Sequence, residues 1–492
     1  HAASERVHLS GGGTVSTSKV DVLVGGAAAD HVTVTAAQTG AFYNLLGGAD
    51  SLALAAGTNN VTVANVETVT GGTGTDTVTL GGLSSQTLTL AAVESLVGSA
   101  QRDDVTLATG GAVTVGALET LTGSTGADNV SLSGAATMTV GALETITGSE
   151  QAVERVVLAS GGWTALQAAG IDVLVAAASG ADDVTLTAAQ TSGIVNLLFG
   201  SDRLTLADGT NILSTYNVET VTGGSGADSI TIGGSQRTVT VSGVETLTGS
   251  ESADAVTFSA AVTSMRLDLQ GGADALVLAD AANRVSAYNI ESITGGTATD
   301  TVYLGGSAGQ SVTLTGVDSV TGTAGADQAS FGGATTVTVG SLESLVGSTA
   351  AERVALNESG TVTATAIDSI IGTDGRDQVN MGSGAATTNA TSIDVLIGTE
   401  EVQHVTLGAA QSGVVVNLLG GADQLTLADG GNTATVYNTE TITGGGGADF
   451  VQLAGSGGQT ASVSNVETLI GTSNADSVTV TAGDIFFRGD AG

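Results

Sequence analysis

The residues best placed to do chemistry are aspartates that close glycine-rich turns. Gly71-Gly72-Thr73-Gly74-Thr75-Asp76 runs straight into the alternating stretch Thr77-Val78-Thr79-Leu80. Gly223-Gly224-Ser225-Gly226-Ala227-Asp228 and Gly444-Gly445-Gly446-Gly447-Ala448-Asp449 repeat the pattern. Looser copies carry Gly126 with Asp128, Gly295 and Gly296 with Asp300, Gly325 with Asp327, Gly375 with Asp377, and Asp476. A shorter Gly-Gly-Ala-Asp-like form ends at Asp50, Asp202, Asp274 and Asp423. Glycine accepts positive φ, so such a loop can turn carbonyl oxygens toward one point, where an Asp adds charge. That is a donor set for a hard cation. The same residues also suit a plain tight turn whose Asp accepts backbone N–H groups.

A second acidic position recurs in the phrase Val66-Glu67-Thr68-Val69-Thr70-Gly71 and its relatives. Its acids are Asp21, Glu67, Glu94, Glu119, Glu144, Asp172, Glu219, Glu245, Glu291, Asp318, Glu343, Asp368, Asp394, Glu440 and Glu467. Four of the intervals between them are nearly double the others, and each of these holds one short Gly-Gly-Ala-Asp form. Nineteen units of about 25 residues follow, within the range of solenoid repeats. These glutamates read as bend residues bonding exposed backbone, or as a solvated edge that blocks sideways pairing; a calcium ligand from a neighbouring coil is the other reading. Each unit offers three short β-rich stretches separated by turns, as in Val66–Thr70, Asp76–Leu80 and Gln86–Leu90, and none shows a helical period. The predicted fold is therefore all-β: one continuous parallel β-solenoid of about 19 coils, three short strands each, with Val, Leu and Ile inward. Super-repeat blocks are expected at 21–171, 172–244, 245–393 and 394–492. The chain opens in mid-coil, since Glu5-Arg6-Val7 stands before Asp21 as Glu352-Arg353-Val354 stands before Asp368. A longer array is expected from this.

With these motifs the chain resembles the RTX family of hemolysin-type calcium-binding repeats. The resemblance covers the repeat motif along most of the chain. It implies Ca2+ as the cofactor, held by the glycine-rich loops and aspartates named above, and secretion to the bacterial cell surface or the extracellular space. In such an arrangement the loop of one coil lies above the loop of the next, and an ion between them takes oxygens from both. That would neutralise a column of aspartates stacked at about the 4.8 Å spacing of paired strands. The spacing departs from the family, whose loops recur far more often than the single loop per unit found here. The loops Ser99-Ala100-Gln101-Arg102, Ser149-Glu150-Gln151-Ala152 and Thr399-Glu400-Glu401-Val402-Gln403 have lost the motif.

Composition narrows the function classes. The 492 residues include 74 Gly and no Pro, which suits a backbone hydrogen-bonded almost everywhere as sheet. Aromatics make up 3%, as befits a narrow core of small branched side chains. Net charge is −37, and Lys19 is the single lysine, which argues against nucleic acid as a partner. No apolar run reaches the roughly 18 residues of a membrane span, so no membrane insertion is expected, and there is no Cys. Gly305-Gly306-Ser307-Ala308-Gly309 matches a nucleophile-elbow pattern without the strand-to-helix context that would support it. The histidines, His1, His8, His31 and His404, form no ligand cluster. The expectation is a non-enzymatic, secreted, calcium-stabilised structural protein that forms a rod, surface layer or filament from copies of itself. The main alternative is an adhesin segment binding glycan, such as cell-surface polysaccharide, or another surface, in which Tyr and Arg residues such as Tyr303 and Arg237 would gather on one face. More remote readings are a polysaccharide-acting solenoid and an ice-binding one built on Thr77 and Thr79.

Overall fold

The computed structural model describes residues 4–149, 153–159, 165–234, 237–384 and 386–489. His1, and the Arg237 side chain named above, lie outside the described residues, as do Glu150, Gln151 and Ala152 of one altered loop. Every described regular element is a strand, three to six residues long, and every strand pairing is parallel. Two compact units result, His1–Thr248 and Gly249–Gly492.

Within each unit, consecutive strands alternate between two parallel sheets. A strand pairs not with the next in sequence but with the one after it. Asp76–Leu80 pairs with Asn59–Ala64 on one side and Ser95–Val97 on the other, while Gln86–Ala91, between them in sequence, belongs to the second sheet. This is a parallel β-solenoid with two strands per turn. Turn length varies with the loops: Asp104 with Thr120 is one of the tightest described pairings, and Thr145 with Gln167 spans one of the longest.

The expected 19 coils of about 25 residues are therefore corrected to about 26 turns of about 18 residues over the two units. The sequence repeat does hold three strands, but a turn uses only two. Each repeat advances one and a half turns, and the next repeat begins on the opposite sheet. The short strands after Glu67, Glu94, Glu119 and Glu144 show this directly. Thr68–Thr70 and Thr120–Thr122 lie in one sheet, Ser95–Val97 and Thr145–Thr147 in the other.

Alternation puts one face of each strand inward, and the parallel register stacks like on like. Val61, Val78, Leu96, Val115 and Leu132 form one such interior file on five successive turns, all buried. Each such side chain contributes roughly 1.5–3 kcal/mol of burial. The chain turns at two kinds of corner. One is the glycine-rich loop; the other is a tight bend with a left-handed residue two before the acid, as at Asn65, Ala92, Ala117 and Ala142.

The two units repeat each other in detail. The short-form aspartates Asp50 and Asp202 of the first unit match Asp274 and Asp423 of the second. The paired asparagines keep the same offsets: Asn59 stands to Asn283 as Asp50 does to Asp274, and Asn211 to Asn432 as Asp202 does to Asp423.

Candidate functional site: carboxylate columns at the corners

Asp76 shows how the loop motif is used. Its side chain is wholly buried. Oδ2 accepts the Gly72 N–H at 2.7 Å. Oδ1 accepts from Asn59, on the preceding turn, both the side-chain Nδ2–H at 2.7 Å and the backbone N–H at 3.2 Å. The Asp76 N–H donates in turn to Glu94 Oε2 on the following turn, at 2.8 Å. Asn59, Asp76 and Glu94 thus form a column in which each carboxylate receives the backbone N–H of the turn before. The columns Asn211–Asp228–Glu245, Asn283–Asp300–Asp318 and Asn432–Asp449–Glu467 are built the same way.

The looser copies follow suit. Asp128, Asp327, Asp377 and Asp476 are bonded by the N–H four residues earlier, from Ser124, Thr323, Thr373 and Thr472, each at 2.6 Å. Asp128, Asp327 and Asp377 each pass their own N–H to the acid of the next turn, Glu144, Glu343 and Asp394. The glutamates of the repeating phrase are thus ladder-closing acceptors for buried N–H groups.

Sequence reading missed members of these columns. Asp103, in a loop that keeps only its first glycine, Gly98, occupies the same place and bonds Ser99, Gln86 and Glu119. Glu154 and Glu352 stand in for Asp and are buried, each bonding a loop serine. The signal was present in the spacing to the next phrase acid. Asp103 before Glu119 and Glu352 before Asp368 keep the interval of Asp128 before Glu144, and Glu154 before Asp172 keeps that of Asp76 before Glu94.

The loop glycines answer to the neighbouring turns. A Cβ on Gly71 would overlap the carbonyl oxygen of Ala92, on the turn after, and one on Gly72 would overlap that of Ala55, on the turn before. Gly223 and Gly224, and Gly444 and Gly445, are hemmed in likewise. Gly74, Gly226 and Gly447 take φ values of 136°, 139° and 145°. Two loop carbonyls accept N–H groups of the preceding turn: Thr73 O from Gly57 at 2.7 Å, and Ser225 O from Gly209 at 2.6 Å.

One and a half turns per repeat also separates like loops. Above the loop 71–76 lies the bend at Ala92, and the next glycine-rich loop on that edge, 123–128, comes three turns on. The acid columns are short for the same reason. Beyond Glu94, the next residue in register is Val113, so the acid pair Asp76 and Glu94 is closed by an apolar residue.

The four short corners differ. Asp50 Oδ1 accepts the Asp30 N–H at 2.8 Å and the Asp50 N–H donates to Glu67, but Asp50 Oδ2 is buried without a hydrogen-bond partner. Asp202, Asp274 and Asp423 repeat this, with Asp182, Asp254 and Gln403 before them and Glu219, Glu291 and Glu440 after. The N–H four residues back, which serves Asp76, is spent here. Leu46, Leu198, Gln270 and Leu419 donate theirs to Asn44, Asn196, Asp268 and Asn417. Burial pushes the Asp202 carboxyl up to about 6, with Glu219 and Asp182 adding to it. Asp50, Asp274 and Asp423 are raised by burial as well.

Calcium takes six to eight oxygens at about 2.3–2.6 Å. Asp76, Asp228, Asp300 and Asp449 carry N–H groups on both oxygens, whereas Asp30 and Asp254, like the short-corner aspartates, each keep one buried oxygen without a hydrogen-bond partner. Among the described residues, no three His, Asp or Glu side chains are grouped to hold a metal. No protein-family model matches the chain, and no curated protein matches it.

Proposed function

We propose that this chain is a structural β-solenoid module of an extracellular or bacterial cell-surface assembly. Its corner acids serve cohesion between turns rather than chemistry on a substrate. The observation that supports this reading is the column itself: the carboxylates of both acidic motifs accept backbone N–H groups from the preceding turn. A carboxylate with two or three such donors is a strong acceptor in a buried corner, and each bond to a charged group is worth about 1.5–3 kcal/mol. The acids that give the chain its charge of −37 are in large part built into the backbone ladder.

Thermal unfolding followed by circular dichroism, in EGTA and then in millimolar calcium at matched ionic strength, tests this. The expected melting temperatures differ by no more than a few degrees. A chain unfolded in EGTA and folded by calcium would restore the ion-site reading of the loops.

A further inference from the structure

The unit Gly249–Gly492 carries a patch of arginine and tyrosine on the outer face of one sheet. The strands Met265–Asp268, Asn283–Tyr288, Asp300–Leu304 and Ser319–Thr321 are successive neighbours there. The Arg266 guanidinium lies 4.3 Å from the centre of the Tyr288 ring, and that of Arg284 lies 4.6 Å from the Tyr303 ring. Arg266 also pairs with Asp268 at 3.2 Å, while Arg284 has no carboxylate partner among the described residues. The chain has only 11 Lys and Arg and five Tyr, so four of them on three successive strands is a concentration.

The internal repeats show that the fold does not require it. The same corner occurs four times. Where this copy has Arg266, Arg284 and Tyr303, the others have Phe42, Asn60 and Thr79; Ile194, Ile212 and Thr231; and Val415, Thr433 and Gln452. Three copies build the same turns without an arginine. Tyr288 is matched by Tyr216 and Tyr437, so the specialisation of this copy is Arg266, Arg284 and Tyr303.

We propose that this face binds a carboxylate-bearing polysaccharide. A tyrosine ring beside each guanidinium restrains it, and the planar fork of Arg284, which has no carboxylate partner among the described residues, matches a carboxylate. Ser286, Thr301, Ser319 and Thr321 stand beside them in register, supplying hydroxyls for a sugar chain. No large apolar side chain of these four strands is exposed, so the face offers rings, guanidinium groups and hydroxyls rather than an aliphatic patch. Repulsion from the rest of the acidic chain is screened beyond about 8 Å at physiological salt. The proposal goes beyond the structural role and stands independently of it.

The test is retention of the full chain on immobilised polygalacturonate, with uncharged dextran as control. The variant combines Arg266→Val, Arg284→Thr and Tyr303→Gln, the residues that the last copy of the corner already uses. Wild type should bind polygalacturonate over dextran and release with added NaCl. The variant should bind at least tenfold more weakly while melting within a few degrees of wild type. Equal binding to dextran, no retention of wild type at low salt, or undiminished binding by the variant would each overturn the proposal. So would self-association in sedimentation that the variant abolishes, which would give the face to a second copy.

Discussion

The same substitution, Asp to Asn, is expected to act with opposite sign at the two kinds of corner. Asp76 and Asp202 are both buried in the unit His1–Thr248, and both receive an N–H from the turn before. Asp76 uses both oxygens. Asn at 76 keeps one acceptor but sets an NH2 group against either Gly72 or Asn59, leaving a buried donor facing a donor. That costs roughly 2–3 kcal/mol. Asp202 uses one oxygen; Asn at 202 keeps the bond from Asp182 and places its NH2 where Oδ2 had no partner. It also removes a buried charge beside Glu219. Raising the carboxyl from 3.8 to about 6 destabilises the folded state as pH rises through that interval, with the full penalty present above it. Discounted for solvent screening, the penalty is about 1–2 kcal/mol at pH 7.5. A kilocalorie shifts the melting point of a domain this size by about 2–4 °C. On that scale Asp76→Asn should melt roughly 5–10 °C below wild type, and Asp202→Asn roughly 3–6 °C above it, at pH 7.5. At pH 4 the gain from Asp202→Asn should largely vanish, because the wild-type acid is then neutral in the folded state and the penalty has barely begun. Circular dichroism melts of the two variants at both pH values decide the matter. A lower melting point for Asp202→Asn at pH 7.5 would mean that its carboxylate has a partner, and the short-corner reasoning would be wrong.

Glycine substitutions should separate close approach from mere turn preference. Gly71→Ala should lower the melting point by several degrees, because the new Cβ meets the Ala92 carbonyl, whereas Gly47→Ala, with open space around it, should be near neutral. Glu94→Gln keeps an oxygen for the Asp76 N–H and should change stability little, while Glu94→Ala leaves that N–H unpaired and should cost about 1–3 kcal/mol in denaturant titration. Leu96→Ala, in the middle of an interior file, should cost about 2–5 kcal/mol and speed amide exchange in the turns carrying Val78 and Val115 before distant ones.

The solenoid class was legible because its signals are local: alternation in Thr77-Val78-Thr79-Leu80, the punctuating glycines, and the absence of Pro. The number of strands per turn was not, because it depends on which strand pairs with which. Three strands per repeat suggested three per turn, and only the pairing of Asp76–Leu80 with Ser95–Val97 shows that the chain returns after two. The same ambiguity hid the site. Reading the repeat as one turn stacks Asp76 over its counterparts and invites an ion between them. The observed register stacks it between Asn59 and Glu94. Asp103 and Glu352 were passed over because the glycine motif was weighted above the spacing to the next acid, and spacing is what the column obeys.

That register also bears on the mutual repulsion of the corner acids in a chain with 48 Asp and Glu. A repeat of one whole turn would align every loop aspartate on one edge, each about 4.8 Å from the next. A repeat of one and a half turns sends successive copies to opposite edges. The acid pair Asp76 and Glu94 is followed by the apolar Val113, so the mutual repulsion of each carboxylate is limited mainly to one neighbour. Asn59, Asn211, Asn283 and Asn432 then place a neutral donor at the other end of the pair. Where an Asp takes that Asn position, at Asp30, Asp182 and Asp254, three acids fall in a row, and the middle one is Asp50, Asp202 or Asp274. Those middle acids are raised by burial, and like charges on both sides add to it. At the fourth short corner Gln403 holds the place and Asp423 is raised as well, with Glu440 the one like charge beside it and His404 opposing. At all four short corners burial is the largest cause of the upward shift, and neighbouring acids add to it.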